Sequence, residues 1–400
     1  MKIGIIGDTH YGAGYNLGKL DPKTQFNSRL LDFVHTFDDI ITEFIKKGVK
    51  TAVLTGDIFE TRHPTSAQLN AFSKCVQKAV SNGIDIVIVV GNHDQQRTIS
   101  TTTVDIFKSL ETPGIFVYPD FGLHPIGGSN DEPINIILMP YRDRRMMGTK
   151  TNADAIIAVG NKLKEISKNV DGKKIVVGHF MMDKSVTGEN PDSFSINELI
   201  LPLEMFDGFD AVIMGHVHKH AVLSKDPPII YCGSMDRVSF GEKQQTKVSL
   251  IIDTDNISNI EVIKNNVRDM YEINLDYSGG EKYYKNQITN KIILDIDKYN
   301  MKWNLKGAIV KVVIKVKEND LHYVNQNKIR ECVINKNVQH LSPLQVSSVN
   351  IRKLRNKNIT EDVSGKKAMA AFIRGLIEPE QVKKRLIRFA NNIITEVEGK

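Results

Sequence analysis

The chain has little sulfur for cross-linking and almost no tryptophan: its 400 residues hold three cysteines, Cys75, Cys232 and Cys332, and one tryptophan, Trp303. The cysteines are odd in number, far apart and form no Cys-x-x-Cys. That excludes a disulfide framework and a cysteine zinc site, and fits a reducing cytoplasm. Proline is also scarce, at 13 residues, which with an ordinary charged fraction of 25% argues against disordered or collagen-like architecture. No apolar run approaches the roughly 18 residues of a membrane span. The opening MKIGIIGDTH reaches charge too soon for a secretory signal, so a cytoplasmic chain outside any membrane is expected. No Gly-x-x-x-x-Gly-Lys-[Ser/Thr] occurs, and hence no P-loop ATP site is expected in this chain.

What is present is globular and too long for one ordinary core, which predicts two or three domains. Charge is unevenly distributed. The net +6 divides into 20 Lys and Arg against 9 Asp and Glu over residues 301–400, and 33 against 38 over residues 1–300. A basic C-terminal part on a mildly acidic body suggests a polyanion or an acidic partner, the alternative being a solvated surface.

Up to about residue 265, short β-rich runs (KIGII, TAVLT, DIVIVV, NIILM, KIVV, AVIM, PIIY) alternate with amphipathic stretches near 27–47, 65–82 and 152–168. This is the pattern of an α/β domain whose strands are buried on both faces. From 266 to 345 the texture becomes α+β, with a β-branched strand at 308–316 between helix-like stretches. Residues 346–365 are polar and suggest a linker. Residues 366–400 carry a helical-hairpin pattern, with Pro379 where a second helix would begin.

Five apolar runs end alike. KIGII leads to Gly7-Asp8-Thr9-His10, TAVLT to Gly56-Asp57, DIVIVV to Gly91-Asn92-His93-Asp94, KIVV to Gly178-His179, and AVIM to Gly215-His216-Val217-His218. In open α/β sheets ligands bind beyond the carboxyl ends of strands, so the five groups can converge. A single Gly-Asp or Gly-His after a strand is usually an ordinary turn, but five of the eleven histidines fall at these ends. Carboxylate, imidazole and amide donors without thiolate suit Mn²⁺, Fe or Zn²⁺. Two ions about 4 Å apart need a shared carboxylate, for which Asp57 is the candidate.

These motifs resemble the signature of the calcineurin-like metallophosphoesterases, D-x-H, G-D, G-N-H-[DE], G-H and G-H-x-H in that order. The resemblance implies a β-sandwich flanked by helices. It assigns one metal to Asp8, His10, Asp57 and His218, the other to Asp57, Asn92, His179 and His216, and makes His93 the general acid. Asp94 would either hold His93 or cap the turn. Within the superfamily, Gly56-Asp57-Ile58-Phe59-Glu60-Thr61-Arg62-His63-Pro64, Tyr231-Cys232-Gly233-Ser234 and Ser239-Phe240-Gly241-Glu242 are similar to stretches of the SbcD-type nucleases. Glu60 departs from them, standing where many members carry a histidine linked to exonuclease action on duplex ends.

That resemblance implies two divalent ions, Mn²⁺ first and Mg²⁺ second, DNA as substrate, and an SbcC-type coiled-coil ATPase as partner. It also implies a homodimer within a heterotetramer. The implied layout is a nuclease domain over 1–265, a DNA-capping domain over 266–345, a linker over 346–365 and an ATPase-binding helical segment over 366–400. Ala371, Phe372, Leu376, Val382, Leu386, Phe389, Ile393 and Ile394 would form the segment's apolar seam, unless the helices fold back on the body. The alternatives are a metallophosphatase for small phosphoesters or phosphoproteins, and a catalytically silent DNA-binding subunit. Arg62 and His63 either touch a phosphate backbone or lie in a solvated loop, His220 either reaches the substrate or, as is more usual, lies at the surface, and Trp303 and the dispersed tyrosines show no stacking platform.

Overall fold

The computed structural model describes residues 1–95, 101–126, 134–168, 170–183, 197–279, 287–349, 365–374 and 379–398. The chain divides into two compact units. One comprises Met1–Asn274, Ile292–Val313 and Gln326–Leu344, the other Leu275–Lys291, Ile314–Asn325 and Gln345–Lys400.

The elements in chain order are β1 (Lys2–Ile6), α1 (Ser28–Lys47), β2 (Val49–Leu54), α2 (Ser66–Ser81), β3 (Asp85–Val89), α3 (Asp105–Ser109), β4 (Ile115–Tyr118), β5 (Gly122–Ile126), β6 (Ile134–Met139) and α4 (Asn152–Lys168). Then come β7 (Lys173–His179), β8 (Met181–Met182), β9 (Ile200–Leu201), β10 (Ala211–Gly215), β11 (Ala221–Lys225), β12 (Pro228–Tyr231), β13 (Val248–Asp253), β14 (Ile260–Lys264) and β15 (Met270–Asp276). The remainder are α5 (Ile288–Trp303), β16 (Ile309–Lys317), α6 (Gln326–Ile334), β17 (His340–Leu341), β18 (Gln345–Val349), α7 (Gly365–Arg374) and α8 (Glu380–Glu398).

Two six-stranded sheets dominate the first unit, in the orders β14-β13-β1-β2-β3-β4 and β11-β12-β10-β7-β6-β5. Strands β1 to β4 run parallel, as do β12, β10, β7 and β6. Antiparallel strands flank both sets: β13 beside β1, β11 beside β12, and β5 beside β6. All seven runs read from the sequence are strands. β13 joins them although no ligand motif follows it to mark it.

Alternation along each strand divides the side chains between two interfaces. Ile3, Ile5, Val53 and Val87 share a buried core with Ile136, Leu138, Val177 and Ile213 of the other sheet. Their neighbours Ile6, Ala52 and Leu54 pack with Phe37, Phe44 and Phe72 of α1 and α2. On the far side Val176, Val212 and Met214 meet Ala155, Val159 and Leu163 of α4. The expected helix-flanked sandwich follows from strands apolar on both faces. Asn27 caps α1, its side chain accepting from Arg29 N, and Thr65 with Gln68 forms a capping box on α2.

Beyond residue 265, β15, β16 and β17 form a further sheet in which β18 also pairs with β16. The stretch 266–345 contributes to both compact units. Gln345–Val349, at the expected start of the linker, form β18, and residues 350–364 lie outside the described residues. Helices α7 and α8 pack together, and Pro379 O accepts from Val382 N and Lys383 N at 2.9 and 3.1 Å. Leu376 of the expected seam lies outside the described residues. No described helix is long and apolar enough to cross a membrane.

Candidate metal centre

The five polar groups meet at the carboxyl ends of β1, β2, β3, β7 and β10, drawn from both sheets of the sandwich. The turns there are tight. His10, Asp57 and His216 have φ of 43°, 47° and 82°, a conformation that costs non-glycine residues energy and recurs at functional sites. Two glycines make the approach feasible. Gly56 has φ 116°, and a Cβ on Gly91 would stand 2.2 Å from Asp57 Oδ1.

Asp57 lies in the middle. Its Oδ2 is 3.7 Å from His10 Nε2 and 3.3 Å from His179 Nε2, while its Oδ1 accepts from His93 N at 2.8 Å. On one side His10 Nε2 and His218 Nε2 stand 3.0 Å apart, and Asp8 accepts from Thr55 Oγ1 at 2.9 Å and from His216 N at 2.8 Å. On the other, Asn92 Oδ1 lies 2.9 Å from His179 Nε2 and 3.1 Å from His216 Nδ1. Among the described residues three trios have donor atoms within 4.8 Å of one another: Asp8, His10 and His218; Asp57, His179 and His216; and, at the edge, His10, Glu60 and His93. Buried oxygen and nitrogen donors in two groups joined by one carboxylate suit a pair of divalent ions.

The rings are oriented from behind, as metal-binding imidazoles usually are. His179 Nδ1 donates to Thr55 O at 2.9 Å, His218 Nδ1 faces Glu242 Oε1 at 2.9 Å and His10 Nδ1 faces Glu60 Oε2 at 3.0 Å. In each, Nε2 is the nitrogen turned inward. His216 is reversed: its Nε2 faces Glu198 Oε1 at 3.4 Å and its Nδ1 points inward. Glu198 is itself held by Tyr141 Oη at 3.1 Å, and Glu242 by the buried Lys247 ammonium at 2.6 Å.

Electrostatics follow this arrangement. Burial works against charge on Asp57, yet His179, His93 and His10 hold its carboxyl well below the ordinary range. Burial likewise opposes charge on His179, but Asp57 and Asp8 raise it to about 10, whereas burial and His179 push His216 down to about 3.

His93 lies at the edge, its ring 5.2 Å from that of His10 and its Nδ1 2.6 Å from Glu60 O. Asp94 does not touch the His93 ring. Its Oδ1 accepts from Ile58 N at 2.9 Å and its Oδ2 from Gly91 N at 3.0 Å, so of the two roles left open for it the structure shows the cap. Burial and the neighbouring Asp57 push its carboxyl up to about 7. Arg62 donates to Gln95 O at 2.6 Å and to Asn92 O at 3.2 Å, bracing the loop that bears His93. His220 is half-buried, with Nδ1 2.8 Å from Tyr231 O.

Thr55, Tyr141, Glu198, Glu242 and Lys247 were not legible as site residues. Glu242 stood in a recognised stretch, but nothing local to it points at His218.

The model of the calcineurin-like phosphoesterase family matches residues 1–220, which include every candidate ligand. The chain belongs to this family. Among relatives of the phosphoesterase, the DNA double-strand break repair protein Mre11 of Thermoplasma acidophilum is 25% identical over 276 residues, 65% of this chain and 63% of that protein. The D component of the Escherichia coli K12 nuclease SbcCD is 23% identical over 267 residues, 62% of this chain and 63% of the relative. The Mre11 of Haloferax volcanii is 23% identical over 279 residues, 69% of this chain and 54% of the relative. Each match spans less than two thirds of the relative's length.

Proposed function

We propose that this phosphoesterase is a binuclear-metal DNA nuclease, an exonuclease on DNA ends and an endonuclease on single strands. The observation that carries the reading is Asp57 Oδ2, which stands between His10 Nε2 and His179 Nε2 with a complete donor group on either side. The named roles of the relatives, double-strand break repair and nuclease component, support the choice of DNA over a small phosphoester.

Asp8, His10, Asp57 and His218 would hold one ion, and Asp57, Asn92, His179 and His216 the other, with Mn²⁺ the first choice and Mg²⁺ the second. When bound, such a pair polarises a phosphoryl oxygen and lowers the pKa of water at neutral pH. Thr55 and Glu242 fix the tautomers of His179 and His218, leaving Nε2 to ligate. Because Glu60 O can only accept, His93 Nδ1 donates to it; as general acid the ring would start as the doubly protonated imidazolium, passing its Nε2 proton to the departing oxygen and becoming neutral while the Nδ1–H stays on Glu60 O. Glu60 thus supports the centre twice, through its carbonyl at His93 and its carboxylate at His10.

In this reading residues 1–265 are the nuclease domain, 266–345 a DNA-capping domain, 346–365 a linker, and 366–400 the segment gripping an SbcC-type ATPase. The chain would work as a homodimer within a heterotetramer in DNA repair, recombination or replication. The basic last hundred residues suit phosphate contacts. The decisive assay incubates the protein with labelled single-stranded DNA and with p-nitrophenyl phosphate, each with and without Mn²⁺. Metal-dependent DNA cleavage is expected; hydrolysis of p-nitrophenyl phosphate alone would make it a small-phosphoester phosphatase, and turnover of neither would sink the reading.

A further inference from the structure

The chain's one tryptophan does not stand alone in the fold. The Tyr271 ring from β15 stacks on Trp303 at the end of α5, with centroids 5.1 Å apart and planes 12° from parallel. Tyr299, one helical turn earlier, lies 4.7 Å from the same indole at 48°. All three rings are half-buried. A cluster made only to seal α5 onto β15 would be fully covered, as Ile292, Ile296 and Ile273 are. Exposed residues flank these rings, two lysines close to Trp303 in sequence and Asp269 beside Tyr271. Met301 is 85% exposed, Lys302 Nζ lies 6.0 Å from the indole centroid, and Lys302 and Lys306 form no ion pair among the described residues.

A short series of contacts links the rings to the metal centre. Met235 N donates to Asp8 O at 2.9 Å. Two residues on, Arg237 donates to Arg268 O at 2.7 Å and faces Asp269 at 3.8 Å, and Tyr271 Oη lies 3.4 Å from Asp269.

The geometry points to a stacking platform for unpaired nucleobases of a single-stranded nucleic acid, formed by Trp303, Tyr271 and Tyr299, with Lys302 and Lys306 beside it for the phosphates. The inference deepens the proposed nuclease reading by locating where a single strand is held. Aromatic rings take any base by its π face, and flanking lysines supply the sequence-independent attraction to the backbone. Lysine alone would attract duplex and single strand alike; aromatic rings that are only half-covered favour the strand whose bases are free.

Because Trp303 is the only tryptophan, intrinsic fluorescence reports on this platform directly. The full chain is titrated, with chelator present to prevent cleavage, with end-labelled oligothymidylate and with an abasic strand of equal length, while label anisotropy follows binding. Oligothymidylate should quench Trp303 emission in step with binding, and the abasic strand should bind more weakly and leave emission nearly unchanged. Trp303→Ala or Tyr271→Ala should weaken oligothymidylate binding about 5- to 150-fold, and Trp303→Phe should retain most of it. Binding with unchanged emission, equal quenching by the abasic strand, or no binding at all would overturn the platform, and the parent titration decides this even if a variant fails to fold. Mn²⁺-dependent cleavage without quenching would remove the platform and keep the nuclease. Quenching without cleavage would do the reverse.

Discussion

Asp57 Oδ2 faces His179 Nε2 across 3.3 Å, and the two residues end strands of different sheets, β2 and β7. Neither proposed ion would draw its donors from one sheet alone, since Asp8, His10, Asp57 and Asn92 follow strands of one sheet and His179, His216 and His218 belong to the other. Closing the sandwich assembles the centre, and burial of its apolar inner faces therefore fixes the separation of the ligands.

The middle position of Asp57 makes it the most consequential of the candidate ligands. Asp57→Ala should abolish turnover, whereas His218→Ala and His179→Ala should each mainly weaken one site. Calorimetry on the parent should find two equivalents of Mn²⁺; a single equivalent, undisturbed by Asp57→Ala, would end the binuclear assignment.

His93 binds Asp57 through its main-chain N–H and Glu60 O through its ring, so replacing its side chain leaves the backbone contact in place. His93→Ala should keep metal and DNA binding and lose roughly 10²- to 10⁴-fold in rate. Loss of metal from the variant, or near-parent cleavage, would reassign the residue.

Glu242 acts through His218, and its two oxygens are shared between that ring and Lys247. Glu242→Ala should lower metal affinity about 10- to 100-fold, the usual cost of losing a carboxylate behind a ligating histidine. Metal titration of the folded variant checks this; unchanged affinity would show that His218 is oriented by its turn alone.

Arg29 is buried, donating to Asp32 Oδ2 at 3.0 Å and Asp236 Oδ1 at 2.9 Å. Asp236 is fully buried and follows Met235, which binds Asp8. Arg29→Ala should destabilise the fold by about 3–5 kcal/mol, because it leaves a carboxylate uncompensated in the interior. A lower urea midpoint is the expected observation, and a midpoint within error of the parent would contradict it.

The exposed apolar side chains of α7 and α8 include Phe372 at 49% and Leu386 at 39%. If the proposed reading holds, truncation at about residue 362 should spare Mn²⁺-dependent cleavage of single-stranded DNA and abolish co-purification with the proposed SbcC-type ATPase. Phe372→Glu or Leu386→Glu should weaken assembly by placing a charge where desolvation is required. A truncated chain that still co-purifies and still responds to ATP would put the grip on the body of the protein.

Much of this molecule is written locally. Each apolar run followed by glycine and a ligating residue specifies a buried strand and a sharp turn within about ten residues, so β1, β2, β3, β7 and β10, their helices, and the candidate ligands from Asp8 to His218 could be named from sequence. The structure alone decided what stands behind those ligands. Glu198 and Glu242 meet His216 and His218 only after the chain has folded, and Lys247 is buried because Glu242 is there to receive it. Asp94 became a cap because three backbone N–H groups converge on it, a fact no spacing encodes. Tyr271 and Trp303, 32 residues apart, were unrelated letters until β15 and α5 were laid side by side. Periodicity and turn chemistry act through neighbours in the chain, whereas the partners of a polar or aromatic side chain are set by how whole elements pack.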